Sequence, residues 1–225
     1  MILYGKQIFF YIAKHYPDLI EEVYLAKDVD KKVFSTITKL NKKIVKLDPM
    51  KAQSMARGGN HQGFLLKTSF IEFADVKDLK KEDFLLVLVG ITDVGNIGAI
   101  IRSAYAFGVD GVIVSGVSSI AFEGVVRSSS GSALAMPIAL FKDTATLVNE
   151  LKQIGFTTYA ADMSGEDIRD VTFKNKKVLF LGSEGEGISN RILKMCDKKL
   201  KITMDREFDS LNVSAAAAIL CDRMR

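Results

Sequence analysis

The nine residues Leu181–Ser189, LGSEGEGIS, follow an apolar run and precede NRILKMCDKK, a segment that reads as helical. Three glycines between a strand and a helix let a ligand approach the backbone N–H groups closely. The order is G-x-x-G-x-G, however, not the G-x-G-x-x-G of dinucleotide-binding folds, and no Lys-Ser/Thr pair follows as in a P-loop. Glu184 and Glu186 would repel a pyrophosphate, yet carboxylates suit the positive end of a helix dipole. The guest favoured by such a loop is neutral or cationic, for instance an adenosine carrying a sulfonium. A plain strand-to-helix turn fits the same residues.

Two further clusters have the same build. GITDVGNIGAIIRSAYAFG, Gly90–Gly108, runs from a strand through a polar loop into a helix. Ile97, Ile100, Ile101 and Ala104 recur at helical spacing and form a buried stripe, from whose centre Arg102 points away. Polar loops at the C-terminal ends of parallel strands are where α/β sheets bind ligands. The bland alternative is that Asn96 caps the helix and Arg102 is a surface charge. ITMDREFDSLNVSAAAAI, Ile202–Ile219, ends a strand and opens a small-residue helix, with Ser210 or Asn212 as N-cap and Ala215–Ala218 allowing close packing. A well-packed terminal helix fits that stretch as well. His15 and His61 both fall far from these clusters, so no Ser-His-acid arrangement is evident. His61, in GGNHQGF, suits either an RNA contact or a turn cap.

The elements that must position these loops fall into two parts. Residues 1–70 alternate short helical and strand patterns: YGKQIFFYIAKHYP helical, IEEVYLAK a strand, KKVFSTITKLN helical, KIVKLD a strand, PMKAQSMARGG helical and HQGFLLKTS a strand. This unit carries 12 Lys+Arg against 6 Asp+Glu, whereas the rest of the chain carries 19 against 21. A basic module beside a near-neutral one points to a polyanionic partner, although a solvated lysine surface has the same composition. Residues 71–82, IEFADVKDLKKE, lack clear periodicity and read as a linker. Beyond them, FLLVLVGI, GVIVSG, TTYAAD, KVLFLG and LKITM are short continuous apolar runs, separated by helical patterns such as DTATLVNELKQIG. Such runs fit strands covered on both faces. The βαβα order predicts an α/β fold with a mostly parallel sheet and helices on both faces.

The 225 residues suit one large domain or two small ones, and 48% hydrophobic with 26% charged residues is an ordinary globular composition. No apolar run approaches the ~18 residues of a membrane span, and the N-terminus lacks the pattern of a signal peptide. Cys196 and Cys221, like the two histidines, have no metal-ligand spacing, so no metal site is expected. A disulfide is not expected either, since the chain reads as cytoplasmic.

Taken together and in this order, the three clusters resemble the signature motifs of the SpoU (TrmH) branch of the SPOUT superfamily of RNA methyltransferases. Asn96, Gly98 and Arg102 match the first motif; the strand ending in Gly182–Gly187 matches the second; Ile202, Met204 and Ser210–Ser214 match the third. SSSGSALAMPI resembles a further family segment, and residues 1–70, with HQGF near their end, resemble the accessory RNA-binding module of a ribosomal RNA subgroup. Val94 and Thr203 stand where the family usually has proline.

The resemblance implies a small N-terminal RNA-binding domain (1–70), a linker (71–82) and a catalytic domain (83–225) with a deep trefoil knot that works as a cytoplasmic homodimer. It implies methyl transfer from S-adenosylmethionine to a ribose 2′-hydroxyl, with a guanosine of 23S ribosomal RNA as the substrate. A transfer RNA substrate, or a non-catalytic ribosome-assembly factor of the same fold, are the alternatives. By matched position, Gly182, Gly187, Ile202, Met204 and Leu211 would hold the cofactor, and Arg102, Asn96, Glu184, Ser210 and Asn212 would form the catalytic group. Asn96 would orient Arg102 or the ribose, and Glu184 would brace the loop and Arg102. Arg57, His61 and Arg102 would contact RNA.

Overall fold

The computed structural model describes residues 1–206 and 210–225. Two sheets organise the chain. The first is built from β1 (Ile2–Tyr4), β2 (Ile20–Leu25), β3 (Lys43–Lys46) and β4 (Phe64–Thr68), in the spatial order β1-β4-β2-β3. Its helices are α1 (Lys6–His15), α2 (Lys31–Thr38) and α3 (Pro49–Met55). Asp30 and Asp48 cap α2 and α3, each accepting a backbone N–H three residues on, and Pro49 occupies the first position of α3. β1 is an addition to the sequence reading, which carried the helix back to Tyr4. Its three residues are too few for a legible alternation, and pairing with β4 is what makes them a strand.

The second sheet contains β5 (Phe84–Val89), β6 (Gly111–Ser115), β7 (Ile138–Phe141), β8 (Thr157–Asp167), β9 (Lys177–Gly182) and β10 (Lys198–Lys201). Its order is β10-β8-β9-β5-β6-β7 and every pair is parallel. Alternate residues of one strand enter opposite cores. Leu86 and Leu88 of β5 join Ile97, Ile100 and Ile101 of α5 (Val94–Ala106) and Leu220 of α9 (Val213–Met224). Leu85 and Val87 face the other way, against Leu147 and Leu151 of α7 (Thr144–Gln153) and Ile192 of α8 (Asn190–Met195). Burial on both faces explains why the strands read as continuous apolar runs rather than alternating ones.

The remaining α-helices among the described residues are α4 (Val76–Leu79) and α6 (Phe122–Ser128). The segment 71–82, read as a linker without clear periodicity, carries α4 and is tied to the second sheet. Ala74 donates its N–H to the Ile138 carbonyl at 2.7 Å, and Leu79 is buried. The two sheets also share one hydrophobic cluster, and β1 docks on α6. There the Ile2 N–H donates to Glu123 at 3.3 Å and the Arg127 guanidinium lies 4.2 Å over the Tyr4 ring. β10 ends at Lys201, so Ile202 and Met204, read as strand, lie in the loop beyond it. No described helix is long and apolar enough to cross a membrane.

Candidate active site

The strand order fixes where a site can form. β5 and β9 are neighbours in register, Val89 beside Gly182. The chain leaves β5 for α5 on one face and leaves β9 for α8 on the other. Such a reversal opens a crevice beyond the C-terminal ends of the two strands. Into it project the loop before α5 and the glycine-rich loop after β9.

Each loop is shaped locally. Asp93, not Asn96, is the N-cap of α5: its carboxylate accepts the Asn96 N–H at 2.7 Å. That frees the Asn96 side chain to face the crevice. Val94 occupies the first helical position, where proline would be welcome for its missing N–H, and Asp93 caps the helix there. In the second loop, Gly187 donates its N–H to the Ser183 carbonyl at 2.9 Å and closes a tight reversal. A Cβ on Gly182 would come within 2.2 Å of the Gly187 carbonyl carbon and 2.5 Å of the Ile188 nitrogen. Only glycine fits at that crossing of two backbones.

The third loop ends at Asn212, which caps α9. Its Oδ1 accepts the Ser214 N–H at 2.9 Å and the Ser214 hydroxyl. With that oxygen committed, its Nδ2 must point the other way, and it donates both to Asn96 Oδ1 at 3.1 Å and to Glu184 Oε1. Asn96 Nδ2 donates to the same carboxylate oxygen at 3.2 Å. Three expected residues from three distant loops thus form one closed network. Ser210, the other expected cap, bonds no helix N–H and lines the adjacent cavity instead.

That cavity encloses about 220 Å³. Gly182, Gly187, Ile202, Met204 and Leu211, the five residues expected around a cofactor, all line it, as do Glu184 and Ser210. Asp162, Lys201 and Ala216 are among its other lining residues, and Asp162 did not stand out in the sequence. Asp162 lies at the end of the TTYAAD run, and the Ser164 hydroxyl that bonds it holds its carboxyl below the ordinary range against the effect of burial. Ala216 is one of the four alanines whose small side chains admit close packing.

Arg102 departs from expectation. It is exposed, and its Nη1 donates to Ser130 Oγ at 3.3 Å rather than to Asn96 or Glu184. Arg102 lies six residues past Asn96, about 9 Å further along the helix axis, and its side chain bonds Ser130. Thr203, in place of a proline, acts on Asp167. Arg169 chiefly, with Thr203 second, holds the Asp167 carboxyl well below the usual range. Arg57 and His61 sit in the first unit, and no contact among the described residues joins them to Arg102. His61 Nδ1 accepts the Gly63 N–H at 3.0 Å, which makes it a turn cap, and Arg57 is exposed at the end of α3 with φ +48°.

Comparison with known proteins matches two stretches of the chain. Residues 83–222 match the model of the SpoU rRNA Methylase family, and residues 2–74 match that of RNA 2′-O ribose methyltransferase substrate binding. The 23S rRNA (guanosine-2′-O-)-methyltransferase RlmB of Bordetella pertussis is 30% identical over 219 residues, covering 92% of this chain and 89% of that protein. An "uncharacterized tRNA/rRNA methyltransferase" of Archaeoglobus fulgidus is 39% identical over 156 residues, covering 68% of this chain and 69% of that one. Among solved structures, the SpoU methyltransferase AviRb of Streptomyces viridochromogenes, in complex with AdoMet, superposes with a TM-score of 0.79 at 22% identity, over 100% of this chain and 88% of that one.

Proposed function

Because this chain belongs to the SpoU rRNA methylase family and is an RNA 2′-O-methyltransferase, we propose that its substrate is a guanosine of 23S ribosomal RNA, methylated at the network of Asn96, Glu184 and Asn212. The observation that carries the assignment of the site is the shared carboxylate. Glu184 Oε1 takes side-chain N–H groups from both Asn96 and Asn212 at the mouth of the cavity.

The cavity suits S-adenosylmethionine as methyl donor. Its walls are largely apolar, Gly182 leaves room where a Cβ would close the loop, and the two carboxylates of Glu184 and Asp162 against the single cation Lys201 leave the described lining net acidic, which suits a cation. When bound, that cofactor supplies a methyl group on a positively charged sulfur, open to in-line attack by an oxygen nucleophile. Ile202, Met204 and Leu211 exclude water from the pocket, and the Ser210 hydroxyl offers a polar contact at its edge. Asn96 and Asn212, braced by Glu184, orient the ribose.

Arg102 binds the substrate phosphate and stabilises charge developing on the 2′-oxygen. A guanidinium keeps its proton at any working pH, so a phosphate oxygen or a water accepts the hydroxyl proton. The bond to Ser130 at 3.3 Å is long and to a neutral acceptor, and a phosphate oxygen displaces it readily. In this reading residues 1–70 deliver the RNA, with Arg57 and His61 on its path, 71–82 join the units, and 83–225 form the catalytic domain. That domain carries the family's trefoil knot and pairs as a homodimer.

The test has two arms. Calorimetry should give saturable binding of S-adenosylmethionine. Labelled methyl transfer to a 23S transcript should disappear when the target nucleotide is 2′-deoxy. Methyl on a base, or transfer that survives the deoxy substitution, rejects the ribose assignment. The name of the Archaeoglobus fulgidus relative favours keeping transfer RNA as the second reading, and transfer to tRNA transcripts alone would select it.

A further inference from the structure

The network at Glu184 leaves one group of side chains beside Arg102 without a role. Tyr105 follows Arg102 by three residues on α5, which puts both on one helical face about one turn, ~5 Å, apart. It is a large ring left half exposed, at 50%. Tyr16, just past the end of α1, neighbours Tyr105, and α1 itself carries Tyr11 and His15 at i and i+4. Their ring centroids are 4.8 Å apart, and Tyr16 stands 6.0 Å from Tyr11.

The turn at residues 130–131 joins the two sides. Ser130 accepts the hydrogen bond from Arg102, and a Cβ on Gly131 would lie 2.4 Å from Tyr11 Cδ1. The Tyr16 phenol is raised by burial, then by the neighbouring phenols of Tyr11 and Tyr105, which agrees with one cluster spanning both helices. Lys14, exposed on α1, and the excess of basic residues over 1–70 add positive charge to that side.

Partly exposed rings beside a guanidinium are chemically suited to unpaired nucleotides. The rings stack on bases of any sequence while cations hold the phosphates. A duplex, whose bases already stack on each other, has no free face to offer. We infer that Tyr105, Tyr11 and His15 form a stacking platform for an unpaired base next to the ribose that Arg102 engages. This inference rests on the RNA-methyltransferase reading and narrows its substrate to RNA that is single-stranded at that point.

The probe is a short single-stranded RNA carrying 2-aminopurine, whose emission is quenched on stacking. Binding to the unmodified protein should quench it. Tyr105→Ala should weaken binding about tenfold, the order expected for one lost stack, and reduce the quench. In the methylation assay it should raise KM for RNA far more than it lowers kcat, and Tyr105→Phe should restore both. Tyr11→Leu, which keeps apolar bulk against Gly131, should show the same loss with an unchanged melting temperature.

Binding within twofold of normal in both Tyr105→Ala and Tyr11→Leu would overturn the platform. So would equal affinity for the fully paired version of the probe. A variant whose RNA binding is intact but whose oligomeric state changes in sedimentation would also overturn it, and would make the patch a protein contact. An unmodified protein that quenches the probe yet transfers no methyl group would instead reject the enzymatic reading and leave the platform standing.

Discussion

Glu184 Oε1 accepts the side-chain N–H of Asn96 at 3.2 Å, although 88 residues of chain separate them. Asn212 donates to the same oxygen. One carboxylate therefore sets the orientation of two amides. Glu184→Ala leaves both amides without that acceptor, and loss of a charged acceptor of this kind lowers kcat about 10- to 100-fold. Glu184→Gln keeps one oxygen and falls between. Single-turnover methylation at saturating S-adenosylmethionine measures this; unchanged turnover in the alanine variant would remove Glu184 from the site.

Gly182 crosses the Gly187–Ile188 backbone at a distance no side chain tolerates. Gly182→Ala forces the loop to move, since both partners are main chain. Calorimetry should record a loss of S-adenosylmethionine affinity of more than about tenfold, with a stability cost of about 1–3 kcal/mol. Normal affinity would show that the loop does not bound the cofactor.

Arg102 has a different signature. Arg102→Ala should lower kcat by about 10²- to 10³-fold, the usual effect of losing one group that stabilises developing charge. Binding of S-adenosylmethionine should stay intact, because Arg102 does not line the cavity. Arg102→Lys keeps the charge but loses the planar fork, so it should recover only part of the rate. Near-normal turnover of Arg102→Ala on bound RNA would end the assignment.

Asp167 is held below its ordinary value of 3.8, chiefly by Arg169 and next by Thr203. A carboxyl with a lower folded than unfolded pKa contributes stability that is fully present above the unfolded value and lost as pH falls through the folded one. The melting temperature should therefore decline as pH drops below about 4, and Asp167→Asn should flatten part of that decline. An identical pH profile in the variant would contradict the shift. Thr203→Pro, which removes one donor, should reproduce a smaller part of the change.

Both cysteines are free. Burial pushes the Cys221 thiol up to about 12, and burial, followed by the Asp197 charge, pushes Cys196 up to about 11. Thiolate is the reactive form, so near neutral pH iodoacetamide should leave both unmodified in the folded protein and alkylate both in guanidinium. Mass spectrometry reads the count directly, and rapid labelling of the folded protein would be the contrary result.

Much of the fold was legible because burial leaves a mark on composition. FLLVLVGI and KVLFLG fit strands covered on both faces, and they form β5 and β9, adjacent at the centre of the sheet. Ile97, Ile100, Ile101 and Ala104 marked the buried face of α5, all at 0% exposure. Shorter pieces left no mark. β1 has three residues and α4 four, below any period. β7 follows Pro137 at the edge of the sheet, where a proline at the strand's entry costs no ladder bond, and its apolar run carried no distinct strand signal. The expected site residues came from the resemblance of the three clusters, in their order, to the SpoU motifs; type and spacing within each loop fitted a plain turn or cap as well. Asp162, remote from every motif, became visible only as part of the cavity wall.

The sequence by itself determined which residues each loop offers: glycines where the backbone must turn back, amides and a carboxylate at strand ends, alanines where α9 must pack closely. Those are local properties, set by a few neighbouring φ/ψ angles and by hydrophobic period. Which side chains meet was decided by tertiary structure alone. Parallel pairing of β5 with β9 brings Asn96 to Glu184, and the return of α9 against α5 brings Asn212 to both. The same packing turned Arg102 away from that carboxylate and towards Ser130. Contacts between residues 88 or 116 positions apart follow from the order of strands in a sheet, and no local pattern encodes that order.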